Sequence, residues 1–324
     1  MILITGNAGF VGTYLTASLL KGGLKLSGID IVPAKNTDVR QIVGNILDRN
    51  TVLEAMQDVD TVIHLAAAHK DFGITKDQYF DVNVNGTKNL LEAASNMGVK
   101  KFIFYSSVSV YGEQSPTTEE TPPQPYNYYG ASKLAAEQEV QKWANEDSSR
   151  TVIIIRPTVV FGIGSKANIF RLIRQVCDGP FLQVGNGENI KSIAYVENLV
   201  EATIFLLERC SQGLHIFNYA DEPHYKTLDL VNLIRSLAGE KQSGFYIPLW
   251  IAVLGGYGFD VLGKLTGIDF PITASRMKKF SMSTHHQATK IRSFGFVPPY
   301  SIEEGLRKNI EWYLMEKKSK QTAL

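Results

Sequence analysis

The sequence predicts an α/β protein: a doubly wound parallel sheet, followed by a smaller C-terminal α/β domain that binds substrate. Three observations predict it. Short apolar runs alternate with helical patterns along residues 1–160, as in successive right-handed βαβ units. The run Val152–Ile155 is apolar at every position, as a strand covered on both faces must be. A glycine-rich turn separates the first apolar run from the first helical pattern.

The elements follow in order. Ile2–Thr5 is a strand, Gly6–Gly12 the turn, and a helix continues through Leu20 to the stop at Gly22-Gly23. Leu24–Ile29 is a second strand ending at Asp30, Arg40–Ile46 a third, Thr51–Met56 a short helix, and Thr61–Leu65 a fourth strand. Val82, Leu90, Ala93, Ala94 and Met97 give Asp77–Met97 a helical stripe that Gly98 stops. Phe102–Tyr105 is a fifth strand, Tyr128–Ala144 a long helix and Thr151–Ile155 a sixth strand. Beyond Phe161 the pattern loosens. Asn168–Val176, Val196–Leu207, Leu228–Leu237 and Ser301–Met315 read as helices, His215–Asn218 as a strand, and Lys317–Leu324 as a frayed tail. The expected division is a cofactor domain at 1–160, with segments around 194–220 returning to it, and an interleaved cap at 161–324.

Composition narrows the function classes. The 324 residues are 44% hydrophobic and 20% charged, enough for a sizeable core. The formal net charge is +1, so no strong field draws the chain to nucleic acid or an anionic membrane. Cys177 and Cys210 are the only cysteines, which is no disulfide framework and fits a reducing compartment. Met1–Gly6 already reads as a strand entering a turn, so no signal peptide is expected and the expected location is cytoplasmic. Phe245–Leu265 is apolar but holds Pro248, several glycines, Asp260 and Lys264. It reads as a buried or partly exposed cap helix, with a membrane-surface contact as the alternative and no stable insertion expected. His64 lies in an apolar strand and reads as structural. Adjacent His285 and His286 would face opposite ways on a strand, and with no Cys or carboxylate cluster beside them no metal site is expected.

Gly6, Gly9 and Gly12 sit at spacings of three between strand and helix. Glycines there let the backbone turn tightly and approach a pyrophosphate, which the free N–H groups and dipole of the helix start then favour. Asp30 follows Gly12 by 18 residues at the end of the next strand, where an acid meets the adenosine ribose hydroxyls. Its carboxylate would repel a 2′-phosphate, and Ile31-Val32-Pro33 offers no basic residue. The cofactor expected is NAD in a Rossmann-type domain.

Tyr129 and Lys133 are four apart on a helix and share a face. An ammonium there helps lower a phenol from its ordinary pKa of about 10, so that it exchanges a hydroxyl proton near neutral pH. Ser107, at the end of the fifth strand, can hydrogen-bond the same substrate oxygen.

These residues resemble the extended short-chain dehydrogenase/reductase superfamily, and within it the nucleotide-sugar epimerase/dehydratase family. The resemblance rests on Thr5-Gly-Asn-Ala-Gly-Phe-Val-Gly12, His64-Leu-Ala-Ala-Ala68, Asn83-Val-Asn-Gly-Thr87, Tyr105-Ser-Ser-Val-Ser-Val-Tyr-Gly112, Tyr129–Lys133 and Arg156-Pro. Weaker echoes follow in Gly185-Asn-Gly, Tyr195-Val-Glu-Asn-Leu199 and Phe217-Asn218. It implies Ser107, rather than Ser106 or Ser109, as the hydroxyl acting with Tyr129 and Lys133. It implies a cofactor lying against Gly6, Ala8, Gly9, Phe10, Val11, Gly12, Asp30, Asn45, Ile46, Leu65, Ala66, Ala67, Ala68, Asn83, Tyr129 and Lys133. Asn45 stands where the family usually has Asp. Substrate contacts are implied at Ser107, Val108, Tyr129, Val159, Lys191 and Arg276, the last two toward the diphosphate. A homodimer through the helices Asp77–Met97 and Tyr128–Ala144 is also implied, and polysaccharide synthesis is a natural setting.

Departures from the family pattern separate reaction types. Dehydratases of the family carry an Asp-Glu pair where this chain has Val108 and Ser109, and decarboxylases favour Glu at the Ser109 place. Neither residue here performs carboxylate chemistry. What remains is simple oxidation and reduction, and the NAD preference tilts the reading to a 4-epimerase of a UDP-hexose or UDP-N-acetylhexosamine, whose recycled cofactor need not come from the reduced NADP pool. A reductase of a nucleotide-linked 4-keto-6-deoxy sugar is the alternative, since Val159 replaces an Asn of many epimerases. A non-catalytic dinucleotide-binding regulator is a third class, disfavoured because Ser107, Tyr129 and Lys133 are all present.

Overall fold

The computed structural model describes residues 1–35, 38–70, 73–179, 181–240, 245–267, 273–274, 277 and 281–322. Six strands, β1 (Ile2–Thr5), β2 (Leu26–Asp30), β3 (Arg40–Val43), β4 (Thr61–His64), β5 (Lys101–Tyr105) and β6 (Thr151–Pro157), join the strand Gly213–Tyr219 in one sheet. The order is Gly213–Tyr219, β6, β5, β4, β1, β2, β3, with every pairing parallel. The order reverses beside β1, which opens a crevice at the carboxyl ends of β1 and β4, where such sheets bind ligands.

Helices cover the sheet: α1 (Phe10–Lys21), α2 (Arg49–Ala55), α3 (Lys76–Phe80), α4 (Gly86–Asn96) and α5 (Tyr128–Asn145). Leu3, Val62, Phe102, Val152 and Ile154 from the strands meet Leu90, Ala94, Val140 and Trp143 from the helices in one core. Trp143 packs on Phe102 at 5.7 Å between ring centroids and donates its indole N–H to Ser95 Oγ at 2.8 Å.

Two differences from the sequence reading concern local chemistry. The third strand stops at Val43, because Asn45 Oδ1 accepts the Leu47 N–H at 3.0 Å and turns the chain. The helix expected over Asp77–Met97 is α3 and α4 joined by a π-turn at Asp81–Asn85. α3 starts in a capping box: Thr75 Oγ1 accepts from Gln78 N–H, and Gln78 Oε1 accepts from Thr75 N–H.

The chain divides into two compact units. One comprises Met1–Thr158, Val196–Ala220 and His286–Pro299; the other comprises Val159–Tyr195, Asp221–His285 and Tyr300–Leu324. The second unit holds three short strand pairs: Val159–Phe161 with Ile193–Tyr195, Leu182–Val184 with Phe245–Ile247, and Ile190–Lys191 with Tyr225–Lys226. Its helices Asn168–Cys177, Thr227–Ala238 and Ile302–Thr322 bury Ile173, Ile234 and Leu306. The last helix runs to Thr322 instead of fraying at Lys317. Asp178 holds it, accepting from Lys317 Nζ at 2.9 Å and from the Tyr313 hydroxyl.

A buried charged network ties α5 to the sheet. Arg156 on β6 donates Nε and Nη2 to the two oxygens of Glu137 at 2.9 and 2.6 Å. Its Nη1 donates to the Tyr111 hydroxyl at 2.8 Å, which donates to Asn218 Oδ1 at 2.7 Å. Burial raises Tyr111, whereas the contacts with Glu137 outweigh burial and raise Arg156. Removing one partner strands the other charge away from water. Glu137→Ala should therefore lower unfolding free energy by about 3–5 kcal/mol, read from urea midpoints. A loss under about 1 kcal/mol, the worth of an exposed pair, would contradict the buried network.

Candidate active site

The glycine turn is built for close approach. Gly6 has φ +73° and packs against the Ala66 backbone, 2.8 Å from where its Cβ would lie. A Cβ on Gly12 would lie 2.1 Å from Gly6 O, so the helix start and the turn touch backbone to backbone. No side chain caps α1 at Gly9. Its first-turn N–H groups thus point out of the corner, as an anion-binding helix start requires. Asp30, at the end of β2, accepts the Ala8 N–H on Oδ2 at 3.0 Å and the Val32 N–H on Oδ1 at 3.3 Å. This cradle could hold a dinucleotide, whose pyrophosphate would meet Gly6–Gly12 and whose ribose would meet Asp30.

A run of hydrogen bonds leads from this corner to the helix α5. Ala66 N–H donates to Thr5 Oγ1 at 3.1 Å, and Thr5 Oγ1 lies 2.7 Å from His64 Nδ1. His64 Nε2 lies 3.0 Å from Thr87 Oγ1, which donates to Asn83 O at 2.6 Å. Thr87 spends its proton on Asn83, so it accepts from Nε2–H, and Nδ1 accepts from Thr5. The network thereby assigns His64 as the neutral Nε2–H tautomer. Burial, reinforced by the charge of Lys133, holds its pKa well below the usual range. His64 is a structural relay, as its apolar strand implied.

Asn83 lies in the π-turn and uses both ends of its amide. Oδ1 accepts from Ala68 N–H at 2.8 Å, while Nδ2 donates to Ala68 O at 3.0 Å and to Ser132 Oγ at 2.9 Å. Ser132 Oγ in turn donates to Tyr129 O at 2.8 Å. The loop after β4 and the turn that carries Tyr129 are thus fixed by one side chain.

Helix α5 begins where Asn127 Oδ1 accepts the Gly130 N–H at 2.7 Å. A Cβ on Gly130 would lie 2.4 Å from Ser109 O. The helix therefore packs directly on the one-turn helix Val108–Tyr111, whose start is capped by Ser107. Ser107 Oγ accepts from Ser109 N–H at 3.1 Å and donates to Ser109 Oγ at 3.1 Å. One turn after Tyr129 on the same face, Lys133 is buried, with Nζ 4.2 Å from the Phe104 ring centroid. No carboxylate forms an ion pair with it among the described residues. Burial lowers its pKa to about 7, against a smaller upward pull from Glu137.

The first unit thus carries Gly6, Ala8, Gly9, Phe10, Val11, Gly12 and Asp30 at the corner, Leu65, Ala66, Ala67, Ala68 and Asn83 beside it, and Ser107, Val108, Tyr129 and Lys133 around the start of α5. Asn45 is exposed, and Ile46 is buried against Gly86. Val159 and Lys191 belong to the second unit, where Lys191 Nζ donates to Met282 O at 2.7 Å. Arg276 lies outside the described residues. Four positioning residues escaped the sequence reading: Thr5, Thr87, Gly130 and Ser132. All lie inside the motifs quoted above, and only Gly130 carried a signal of its own, a glycine in a helical first turn. No group of three or more metal-binding side chains gathers among the described residues. His286 is stacked on Tyr111, with Nδ1 2.7 Å from Thr117 Oγ1, and His285 packs on His224 at 4.6 Å.

Fold and corner define a dinucleotide-binding enzyme of the short-chain dehydrogenase kind. Residues 2–220 match the NAD dependent epimerase/dehydratase family, and the chain belongs to it. Its cofactor is NAD. It is similar to an N-acetyl-alpha-D-glucosaminyl-diphospho-ditrans,octacis-undecaprenol 4-epimerase of Escherichia coli O157:H7, at 36% identity over 98% of this chain and 96% of that one. It is also similar to a UDP-glucose 4-epimerase of Vibrio cholerae, at 31% identity over 97% and 95% of the two chains. Among solved structures, MoeE5 in complex with UDP-glucose and NAD superposes with a TM-score of 0.78 at 26% identity, covering 98% of this chain and 99% of that one.

Lys133 offers a pH test. An exposed lysine keeps its proton to about 10.5, and folding brings this one to about 7. Between those values the unfolded chain holds the proton that the folded chain has released, so stability rises with pH across the window. Without cofactor, the unfolding free energy of the wild type relative to Lys133→Met should climb from pH 7 to pH 10. A flat difference would show that Lys133 is not desolvated.

Proposed function

We propose that this chain is an NAD-dependent 4-epimerase of a hexose or N-acetylhexosamine joined to a diphosphate, with a UDP-linked sugar as the form for which it can first be assayed. The observation that carries the proposal is the buried Lys133 one helical turn after Tyr129, on a helix whose Gly130 lets it pack against the Ser107 turn.

Bound NAD supplies a reversible two-electron acceptor for C4. Everything else is proton handling and positioning by the chain. Tyr129 takes the C4 hydroxyl proton as C4 is oxidised and returns it once the other face has been reduced. When protonated, Lys133 puts a positive charge in a region of low dielectric, where it favours the phenolate more than an exposed lysine would. With substrate bound, Ser107 turns its one O–H from Ser109 Oγ to the same oxygen, while the Ser109 N–H keeps its Oγ in place. Asn83 and Ser132 keep the turn bearing Tyr129 in register with the loop at Ala68.

Val108 and Ser109 support simple oxidation and reduction over dehydration. Loss of water from a sugar needs an acid and a base next to the serine. The residues there are an aliphatic side chain and a hydroxyl already bonded to Ser107.

Incubation with UDP-glucose or UDP-N-acetylglucosamine and catalytic NAD should give the C4-inverted sugar by proton NMR, with no net change in NADH absorbance. Consumption of NADH by a 4-keto-6-deoxy sugar, with no inversion of either UDP-sugar, would replace this reading with the reductase. Tyr129→Phe should bind NAD as the wild type does and lose about 100-fold or more in turnover. Near-full activity would remove Tyr129 from the proton path.

A further inference from the structure

The helix Leu249–Thr266 is built with its apolar side outward. Its exposed positions are Trp250, Ile251, Leu254, Gly255, Tyr257, Gly258, Val261, Leu262, Leu265 and Thr266. These recur every three or four residues, which is one face of a helix. Among the described side chains from 250 to 265, that face carries no charge and no polar atom beyond the Tyr257 hydroxyl and the Trp250 indole nitrogen. The inward side packs instead: Gly256 is buried, and a Cβ there would lie 2.4 Å from Ala274 N. Asp260 is turned away from the exposed face and accepts the Ala274 N–H at 3.2 Å. The adjoining strand adds Phe245 and Tyr246, both more than half exposed.

An ordinary surface helix shows the reverse pattern, polar side outward. A continuous apolar face of this kind marks a docking surface. Its chemistry favours lipid. Trp250, Tyr246 and Tyr257 have apolar rings with one polar atom, the side chains that settle at a membrane interface. Leu254, Val261 and Leu265 lie between them to enter the acyl boundary. The helix is not long and apolar enough to cross a membrane, so it would lie along the surface. Beside it, Tyr246, Leu249, Trp250 and Val253 line a cavity of about 670 Å³ that Gly185 and Asn186 close on another side. Tyr246 and Trp250 belong to both cavity and face, so the cavity adjoins the apolar strip. The similar Escherichia coli enzyme acts, by its name, on a sugar diphosphate carried by undecaprenol, a substrate whose tail resides in a bilayer.

We propose that the outward face of Leu249–Thr266 seats this protein on a lipid bilayer, so that it takes its sugar diphosphate from a polyprenyl carrier in that membrane. The choice of carrier rests on the epimerase reading above; the docking does not. Ionic attraction contributes little at a net charge of +1, so binding follows buried apolar area and survives high salt.

The test is flotation of the full chain with vesicles of phosphatidylethanolamine and phosphatidylglycerol in 0.5 M salt. Wild type is expected to float with the vesicles. Leu254→Glu/Val261→Glu alters two side chains that are 61% and 58% exposed and line neither cavity nor catalytic turn. It should keep its thermal midpoint and its turnover of a UDP-sugar, and should lose about tenfold or more of its vesicle binding. Its epimerisation of N-acetylglucosamine diphosphate polyprenol embedded in those vesicles should fall in parallel. Wild type that stays in solution overturns the docking. So does a wild-type dimer that becomes monomeric in the variant without any vesicle binding, because the face would then belong to a second copy. Vesicle binding that the variant loses, with no inversion of any sugar by the wild type, would uphold the docking and sink the epimerase reading instead.

Discussion

A neutral histidine in the middle of the sheet holds this site together. His64 accepts at Nδ1 and donates at Nε2, and that polarity sets the direction of each hydrogen bond around it. On one side the bonds reach the Ala66 N–H, whose backbone supports Gly6; on the other they reach Asn83, Ala68, Ser132 and the carbonyl of Tyr129. The glycine turn and Tyr129, the proposed proton carrier, lie on different elements, far apart in sequence, yet the proposed chemistry needs them placed to a fraction of an ångström. Packing of apolar side chains is adaptable at that scale, whereas fully satisfied hydrogen bonds are not. Protonating His64 would put two donors where the run provides one donor and one acceptor. The burial that keeps His64 neutral therefore also keeps the run ordered.

The same region sorts its charges with care. Glu137 and Lys133 are one turn apart on α5 and are both buried. A direct pair between them would hold Lys133 protonated and spend its charge. Instead Arg156 takes both oxygens of Glu137, and Tyr111 and Asn218 complete the set. Lys133 is left with an aromatic face and a pKa near 7. In the proposed mechanism an ammonium in that condition would respond strongly to a developing phenolate, because no carboxylate among the described residues competes for it. The structural ion pair and the role proposed for Lys133 thus depend on each other: one satisfied carboxylate leaves the lysine without it as a direct partner.

Much of this was legible in the sequence, for a physical reason. Gly6 and Gly12 are required by backbone contacts closer than any side chain permits, so the letter G at those positions carries geometry; Gly130, pressed on Ser109 O, carries the same kind of signal but was not read. Asp30 and the Tyr129–Lys133 spacing carry chemistry in the same direct way. Thr5, Thr87 and Ser132 were not legible as positioning residues, since a hydroxyl takes its meaning from a partner tens of residues away. The π-turn at Asp81–Asn85 was invisible for a related reason: apolar spacing over 82–97 reads equally well through one extra residue in a turn. Asn45 fell outside the third strand because its side chain bonds Leu47 rather than the ladder. In the second unit the strands are two or three residues long and carry little periodicity.

That contrast explains why reaction type and substrate differ in how far they can be read. The first unit constrains its motif residues by contact with backbone, and the proposed reaction rests on which side chains occupy those places: a hydroxyl rather than a carboxylate at Ser109, and a phenol one helical turn before a buried lysine. The second unit contributes fewer such constraints, and its most conspicuous feature is a surface. Composition alone made Phe245–Leu265 a cap helix, buried or partly exposed; only the placement of Gly256 and Asp260 on the inward side shows that the apolar residues face out. A helix whose small and acidic residues pack while its Trp, Leu and Val face solvent is stable as an isolated unit only at a cost in exposed apolar area, roughly 25 cal/mol for each Å². Folding does not require that exposure, since a polar residue at 254 or 261 would satisfy the same packing. The docking proposed above would account for the pattern, since it gives the helix an apolar surface to meet outside the chain.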